Sequence, residues 1–276
     1  ELKFEKLGTI AQPQPAILGG LNVVQQTFID TNIELDGLTQ TFNLASGTNQ
    51  TLSIAPSYFT FTSSDIEVAR VSELGVVSVV GSGTATISAS LGGVKAKGSL
   101  TIESTGALAI APIPTVPSAD VKSIYSDTYV SVTESNFDPK FGGSTTQTIE
   151  AGSVGSFVQI YTNNNYTGII FNNTVDASTL THLHVDIYVE KSDTNIEIQI
   201  RDIGANGELE TNLFTGLPEG DDKDYRFTAS SLTVGSWTSF DIPLSGGLAT
   251  QKDNLGALIL VGGPDFILDN IYFYKE

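Results

Sequence analysis

A rhythm constrains this 276-residue chain more than any single residue does. Short runs alternate apolar and polar positions and are broken at roughly 8–12-residue intervals by Gly, Asn, Asp or Ser. Thr51-Leu52-Ser53-Ile54, Val76-Val77-Ser78-Val79-Val80 and Ala85-Thr86-Ile87-Ser88-Ala89 are three of the earlier runs. Later ones are Val121–Tyr129, Ser156–Tyr161, Thr167–Phe171, Leu183–Val189, Ile196–Ile200, Trp237–Leu244, Ala257–Val261 and Phe266–Tyr274. Side chains of a strand point alternately to two faces, so each run offers one apolar face to a core. No 3.6-residue apolar period with capping residues stands out. The pattern predicts an all-β chain of two β-sandwich domains.

Residues 1–20, with Pro13, Pro15 and Gly19-Gly20, read as an irregular lead-in, and 21–104 as a small first sandwich. The alternation then stops at STGALAIAPIPTVPSAD, where Pro112, Pro114 and Pro117 fall close together. Prolines so spaced favour an extended, semi-rigid linker over 105–118. An edge strand pinned against the next domain is the other reading. Residues 119–276 read as a second, jelly-roll-like sandwich, whose longest irregular insertion is Gly204–Tyr225.

Composition narrows the function. There is no Cys, which removes disulfides, thiolate metal sites and cysteine nucleophiles. Against 13 Lys and Arg stand 31 Asp and Glu, a formal net charge of -18. Such a chain repels nucleic acid, anionic membranes and polyanionic polysaccharides at long range, so a neutral ligand or a cation is the easier partner. No Walker-type or dinucleotide glycine fingerprint is present, and no organic cofactor is expected. No apolar run approaches the ~18 residues of a membrane helix. The chain also contains no Met, even at position 1, and is expected to be a trimmed polypeptide.

Both histidines lie in THLHVDIYV, residues 181–189, as His-x-His-x-Asp. Parity sends Leu183, Val185, Ile187 and Val189 to one face and His182, His184, Asp186 and Tyr188 to the other. Ile196, Ile198 and Ile200 alternate with Glu197, Gln199 and Arg201; Phe240, Ile242 and Leu244 alternate with Trp237, Ser239 and Asp241. On one shared sheet, these strands would present aromatics, imidazoles, carboxylates, an amide and a guanidinium together. That mix suits a carbohydrate, because rings stack on sugar C–H faces and planar polar groups bond hydroxyls. A solvated face with an Asp186–Arg201 pair, or a polar layer buried under the long loop, accounts for the same residues. A transition-metal site would lack a third His and any Cys. No Gly-x-Ser-x-Gly elbow exists for a hydrolase triad.

Calcium enters through Asp269, which shares parity with Ile271 and Phe273 and so points to the core side, where a carboxylate needs a partner. Asp127 begins the same domain, and first and last strands are often neighbours. An all-oxygen Ca²⁺ site at Asp127 and Asp269 is one reading, and Asp269 bonded to turn amides is the other. The acidic Asp221-Asp222-Lys223-Asp224 run lacks the glycine register of an EF-hand and reads as solvated.

Two resemblances add to these readings. SSDIEVARVSELGVVSVVGSGTATISASLGG resembles the bacterial immunoglobulin-like group 2 domain, through Ser63-Ser64-Asp65, Ala69, Val71, Gly75, Val77 and Gly81-x-Gly83-Thr84-Ala85 before Ile87. Such modules are mostly spacers on surface proteins. VKSIYSDTYVSVTESNFDPKFGGST, YTNNNYTGIIF, THLHVDIYV, GSWTSFDIPLS and ILDNIYFYK, in that order, resemble a carbohydrate-binding-like annex domain. It occurs beside laminarinase-type glycoside hydrolases and in surface glycan-binding proteins of Bacteroidetes polysaccharide-utilisation systems.

The resemblance implies a non-catalytic, monomeric glycan-binding protein. It would sit on the outer membrane, its lipid-bearing Cys trimmed away, or be secreted. It would hand a β-1,3-glucan such as laminarin to a SusC/SusD-like outer-membrane uptake complex. Sugar-binding roles then fall to His184, Asp186, Tyr188, Gln199 and Arg201, with Phe141, Tyr161, Tyr166 and Trp237 as aromatic candidates; Asp127 and Asp269 are the metal candidates. Many relatives carry Trp at the positions of Phe141 and Tyr188. An accessory part of a secreted glycoside hydrolase, or an adhesive stalk without a glycan site, are the alternatives.

Overall fold

The computed structural model describes residues 14–43, 47–153, 155–212 and 215–276, so the lead-in before Gln14 lies outside the described residues. The chain divides into two compact units, one ending at Leu108 and one running from Ala109 to Glu276. Among the described residues the helical segments are short 3-10 turns, and none is long and apolar enough to cross a membrane. The fold is all-β.

In the first unit β1 (Gln14–Ala16), β2 (Asn22–Thr27), β3 (Asn32–Glu34) and β4 (Thr39–Asn43) are followed by β5 (Asn49–Ser53), β6 (Phe59–Ser63) and β7 (Ala69–Val71). The rest are β8 (Val76–Val79), β9 (Gly83–Leu91), β10 (Val94–Lys95) and β11 (Ser99–Ser104). The lead-in is therefore not wholly irregular, because β1 pairs with β4. Sheet order is β10-β9-β11-β2, with β6 also on β9 and β2 parallel to β11; β1-β4-β5 and β3-β8-β7 are smaller sheets. Val77, Val79, Ala85, Ile87, Ala89, Leu100 and Ile102 fill the core, each on the face that alternation assigns. Gly81 admits no side chain, since a Cβ there would lie 2.1 Å from the Glu67 carbonyl oxygen.

The second unit contains β12 (Val121–Tyr125), β13 (Ser135–Asn136), β14 (Gln147–Ser153), β15 (Ser156–Thr162), β16 (Tyr166–Val175) and β17 (His182–Val189). After these come β18 (Ile196–Asp202), β19 (Lys223–Ala229), β20 (Trp237–Pro243), β21 (Leu255–Val261) and β22 (Phe266–Tyr274). One sheet runs β14-β15-β22-β17-β20, with β12 also on β22; the other runs β13-β16-β21-β18-β19. Leu183, Val185, Ile187 and Val189 of the first sheet and Ile196, Ile198 and Ile200 of the second share one core. Each such side chain contributes about 1.5–3 kcal/mol by leaving water.

Three local departures from the sequence reading bear on function. β12 ends at Tyr125 because Ser126 turns the chain, its Oγ accepting from Thr128 N at 3.1 Å. Lys223–Ala229 is an edge strand rather than the tail of a loop. The Pro-rich segment after Leu108 lies along the second unit. Its Ala109, Pro112 and Val116 carbonyls accept from Trp237 Nε1 (2.6 Å), Asn270 Nδ2 (2.9 Å) and the Tyr129 hydroxyl.

Candidate functional site

The strands singled out in sequence separate onto different sheets. His184, Asp186 and Tyr188 on β17 lie beside Trp237, Ser239 and Asp241 on β20, in register Tyr188↔Trp237, Asp186↔Ser239 and His184↔Asp241. Gln199 and Arg201 belong to β18, in the opposite sheet, so the hydrophobic core stands between them and the histidines. No Asp186–Arg201 pair forms. Alternation identifies the face of a strand but not the sheet it joins.

Around β17 the polar groups bond one another. Asp186 is 0 % exposed, and its carboxylate accepts from the Ser239 hydroxyl and from Asn270 Nδ2 at 2.8 Å. His184 donates through Nδ1 to Asp241 at 2.7 Å, its Nε2 lies 3.4 Å from Asp186, and its ring stacks on Tyr272 at 4.6 Å. Burial alone would lower the His184 pKa, but the bonds and charges of Asp186 and Asp241 outweigh it and hold the value above the ordinary one. Tyr188 leans on Trp237 at 5.6 Å, and the indole is tied to Ala109. Asp186 therefore cannot touch a surface ligand: it is enclosed in a polar network, although Ser239 and Asp241 on the same face are exposed.

Two further candidates change place. Tyr161 is 0 % exposed and stacks on Phe266 at 4.8 Å inside the core, so it does not meet a sugar. Asp269 does not share the faces of Ile271 and Phe273. Between His184↔Tyr272 and Asp186↔Asp269, three steps of β22 match two of β17, a β-bulge with Asn270 at φ 50. The bulge resets parity, leaving Leu268 and Ile271 both in the core and Asp269 on the side of Asp186. Its Oδ1 accepts from Asn270 N at 2.6 Å, while Asp127 accepts from Phe157 N at 2.7 Å. Burial, with the charges of Asp127 and Asp186 behind it, pushes the Asp269 pKa up to about 7. Among the described residues, the one group of three carboxylates close enough to share an ion is not here but at Glu210, Asp221 and Asp222.

The outer face of the five-stranded sheet gathers the remaining candidates. Gly168, Ile259, Gln199 and Arg226 are paired in one row across β16, β21, β18 and β19. Three strand spacings of about 4.8 Å make this row roughly 14 Å wide. The Phe141 ring lies against Gly168, where a Cβ would come within 2.6 Å of its Cε2. The next row holds half-buried Tyr166, exposed Val261, half-buried Glu197 and exposed Thr228. Polar groups are chained along the β18–β19 side. Arg226 Nε bonds Asp224 at 2.8 Å and its Nη1 lies 3.7 Å from Glu197, which accepts from Gln199 Nε2 at 2.6 Å.

Arg201, 0 % exposed, lies beside Gln199 on this same face, under the loop, and donates to Gln199 Oε1 (3.0 Å) and to the Gly216 carbonyl (2.6 Å). Burial lowers its pKa, against the opposing charges of Asp224, Asp222 and Glu197. Sequence reading missed Asp224, Arg226 and Val261. The alternation Asp224-Tyr225-Arg226-Phe227 signals the first two, masked by the acidic run before it. An open cleft of about 870 Å³ lies elsewhere in the unit, lined among others by Tyr125, Glu134, Phe137, Glu150, Asn172 and Asn173.

No protein-family model and no curated protein sequence matches the chain. Solved structures do. A family 11 carbohydrate-binding module from Clostridium thermocellum, in complex with a β-1,3-1,4-mixed-linked tetrasaccharide, aligns at 18% identity over 56% of this chain and 96% of its own, TM-score 0.35. A family 30 carbohydrate-binding module aligns at 15% identity over 56% of this chain and 99% of its own, TM-score 0.39. SGBP-B from a complex xyloglucan utilization locus in Bacteroides uniformis aligns at 13% identity over 96% of this chain and 73% of its own, TM-score 0.30. Likeness at this level assigns neither a ligand nor an activity to the present chain.

Proposed function

We propose that this chain is a non-catalytic glycan-binding protein whose second unit holds a neutral polysaccharide on the outer face of its five-stranded sheet. The observation that carries this reading is the juxtaposition on that face of Phe141 and Tyr166 with half-buried Glu197, Arg226 and Asp224, Glu197 being braced from within by the buried Gln199. Aromatic rings, an apolar floor at Ile259 and Val261 and planar hydrogen-bonding groups are what a sugar ring requires, and no activated nucleophile is needed. The net charge of -18 favours neutral over polyanionic glycans. Within this reading, Tyr188 and Trp237 brace the opposite sheet, and Phe141 does the stacking.

The preferred ligand in this proposal is a β-1,3-glucan such as laminarin, on the strength of the sequence resemblance, with the first unit acting as a spacer. Display on the outer surface beside a SusC/SusD-like uptake complex completes the proposal. Titration with laminarin, a mixed-linkage glucan, xyloglucan, mannan and xylan tests it. A micromolar to millimolar affinity, about 4–8 kcal/mol, for a neutral glucan is expected. Phe141→Ala should weaken it at least tenfold, whereas Phe137→Ala in the cleft should leave it unchanged. Binding to none of the glycans, or loss in Phe137→Ala alone, overturns the proposal; turnover of any of them would make the chain an enzyme.

A further inference from the structure

The loop between β18 and β19 contains an arrangement that glycan binding does not use. One carboxylate oxygen from each of Glu210, Asp221 and Asp222 lies within 4.8 Å of the other two. Like charges so close repel, and among the described residues no Lys or Arg pairs with any of the three. Asp222 is 3 % exposed, and its Oδ1, although buried, has no hydrogen-bond partner. A buried unpaired carboxylate oxygen is costly to keep and calls for a cation.

The other oxygens are positioned from behind. Asp222 Oδ2 accepts from Glu210 N at 2.8 Å, Asp221 Oδ2 from Ala205 N at 2.8 Å, and Glu210 Oε2 from Asn206 Nδ2 at 3.0 Å. Two glycines leave the room these carboxylates occupy. A Cβ on Gly204 would lie 2.3 Å from Asp221 Oδ2, and one on Gly220 1.8 Å from Glu210 Oε2. Burial raises the Asp222 pKa, and the neighbouring charges of Glu210 and Asp221 add to the shift, partly offset by Glu210 N and Arg201.

We propose that Glu210, Asp221 and Asp222 form a binding site for a hard divalent cation, Ca²⁺ above all. The donors are all oxygen, and both histidines of the chain are on β17, which disfavours Zn²⁺ and softer ions. Oxygens bonded to one Ca²⁺ at about 2.3–2.6 Å can be up to about 5 Å apart, whereas Mg²⁺ at about 2.0–2.1 Å requires a tighter set. The three carboxylates therefore fit Ca²⁺ as they stand, with water completing the shell. An ion here fastens Glu210 to Asp221 and Asp222 across the loop whose Gly216 carbonyl caps Arg201 and Arg226. The site is independent of which glycan, if any, the sheet binds.

The test uses the full chain stripped with a chelator and titrated with CaCl₂ by calorimetry, with thermal melts in parallel. Saturable binding near one ion per chain and a rise in melting temperature are expected. Asp221→Asn and Glu210→Gln should each weaken Ca²⁺ binding at least tenfold without lowering the metal-free melting temperature, because each removes a repelling charge. Asp269→Asn should bind Ca²⁺ as the parent does. Three results would overturn the proposal: neither heat nor thermal shift up to ~10 mM, ten times the weak end of extracellular Ca²⁺ sites; unaltered binding in both loop variants; or loss of binding in Asp269→Asn.

Discussion

The side-chain amide of Asn270 holds the carboxylate of Asp186, Nδ2 to Oδ2 at 2.8 Å, and both residues are buried. The same Nδ2 bonds the Pro112 carbonyl, and Oδ1 accepts from the Ser126 hydroxyl, so one amide at the β22 bulge satisfies a strand, a turn and the incoming chain. Its own backbone is left-handed at φ 50, a conformation Asn tolerates better than most residues.

Asn270→Ala should therefore be strongly destabilising. It strips Asp186 of a buried donor and puts Ala, which tolerates the left-handed region less well than Asn, at that φ, about 2–4 kcal/mol in sum. Asn270→Gly should recover the backbone part only. Denaturant melts of the two variants separate the terms, and glycan affinity below the melting temperature should be unchanged in both.

Stability should fall as pH rises from about 4 towards 8. A carboxyl with a folded pKa of about 7 is protonated in the native state where the unfolded one, near 3.9, has lost its proton. The contribution is full below the unfolded value and is lost on the way up to 7, at about 1.4 kcal/mol per pH unit. His184 acts in the same direction: its raised pKa gives stability that is present below about 6.5 and lost through the folded value. Asp269→Asn should flatten most of the fall between pH 4 and 7 in melts across this range, leaving the His184 and Asp222 parts.

Tyr161→Phe should stabilise the protein. Its hydroxyl is buried without a partner, and deleting it recovers a desolvation penalty of about 1–3 kcal/mol. Glycan affinity should not change, whereas a sugar-contacting Tyr161 would lose affinity without gaining stability.

Gly168→Ala should reduce both glycan affinity and stability. The new Cβ would lie 2.6 Å from the Phe141 ring and 2.9 Å from the Leu258 carbonyl, so the ring must leave its seat and the strand must shift. A melting temperature lower by several degrees, with affinity reduced as in Phe141→Ala, is the expected pair of results. Unchanged affinity would detach Phe141 from the sugar site.

Much of the architecture was legible because alternation is a direct physical record of a half-buried strand. Leu183 to Val189 and Ile196 to Ile200 entered the core on the side their parity assigns. Sheet membership was not legible, since nothing in HLHVDIYV or IEIQIRD states which strands they pair with, and so His184 and Arg201 were grouped on one face. Asp269 was misdirected by one inserted residue, which reverses parity without leaving a compositional trace. Edge strand β14 was missed because Gln147, Thr148, Glu150 and Gly152 dilute its apolar signal. The carboxylate trio was hidden for another reason: Glu210 and Asp221 are brought together by the return of a loop, not by spacing.

The hydrogen bonds from Trp237, Asn270 and Tyr129 to Ala109, Pro112 and Val116 have a bearing on where this module can be cut. Excised at the end of its prolines, it would leave an indole, a carboxamide and a phenol each searching for an acceptor. The prolines close the module as a hem closes cloth. A transplant of the second unit onto another protein must take Ala109 as its first residue, with the foreign tether attached upstream.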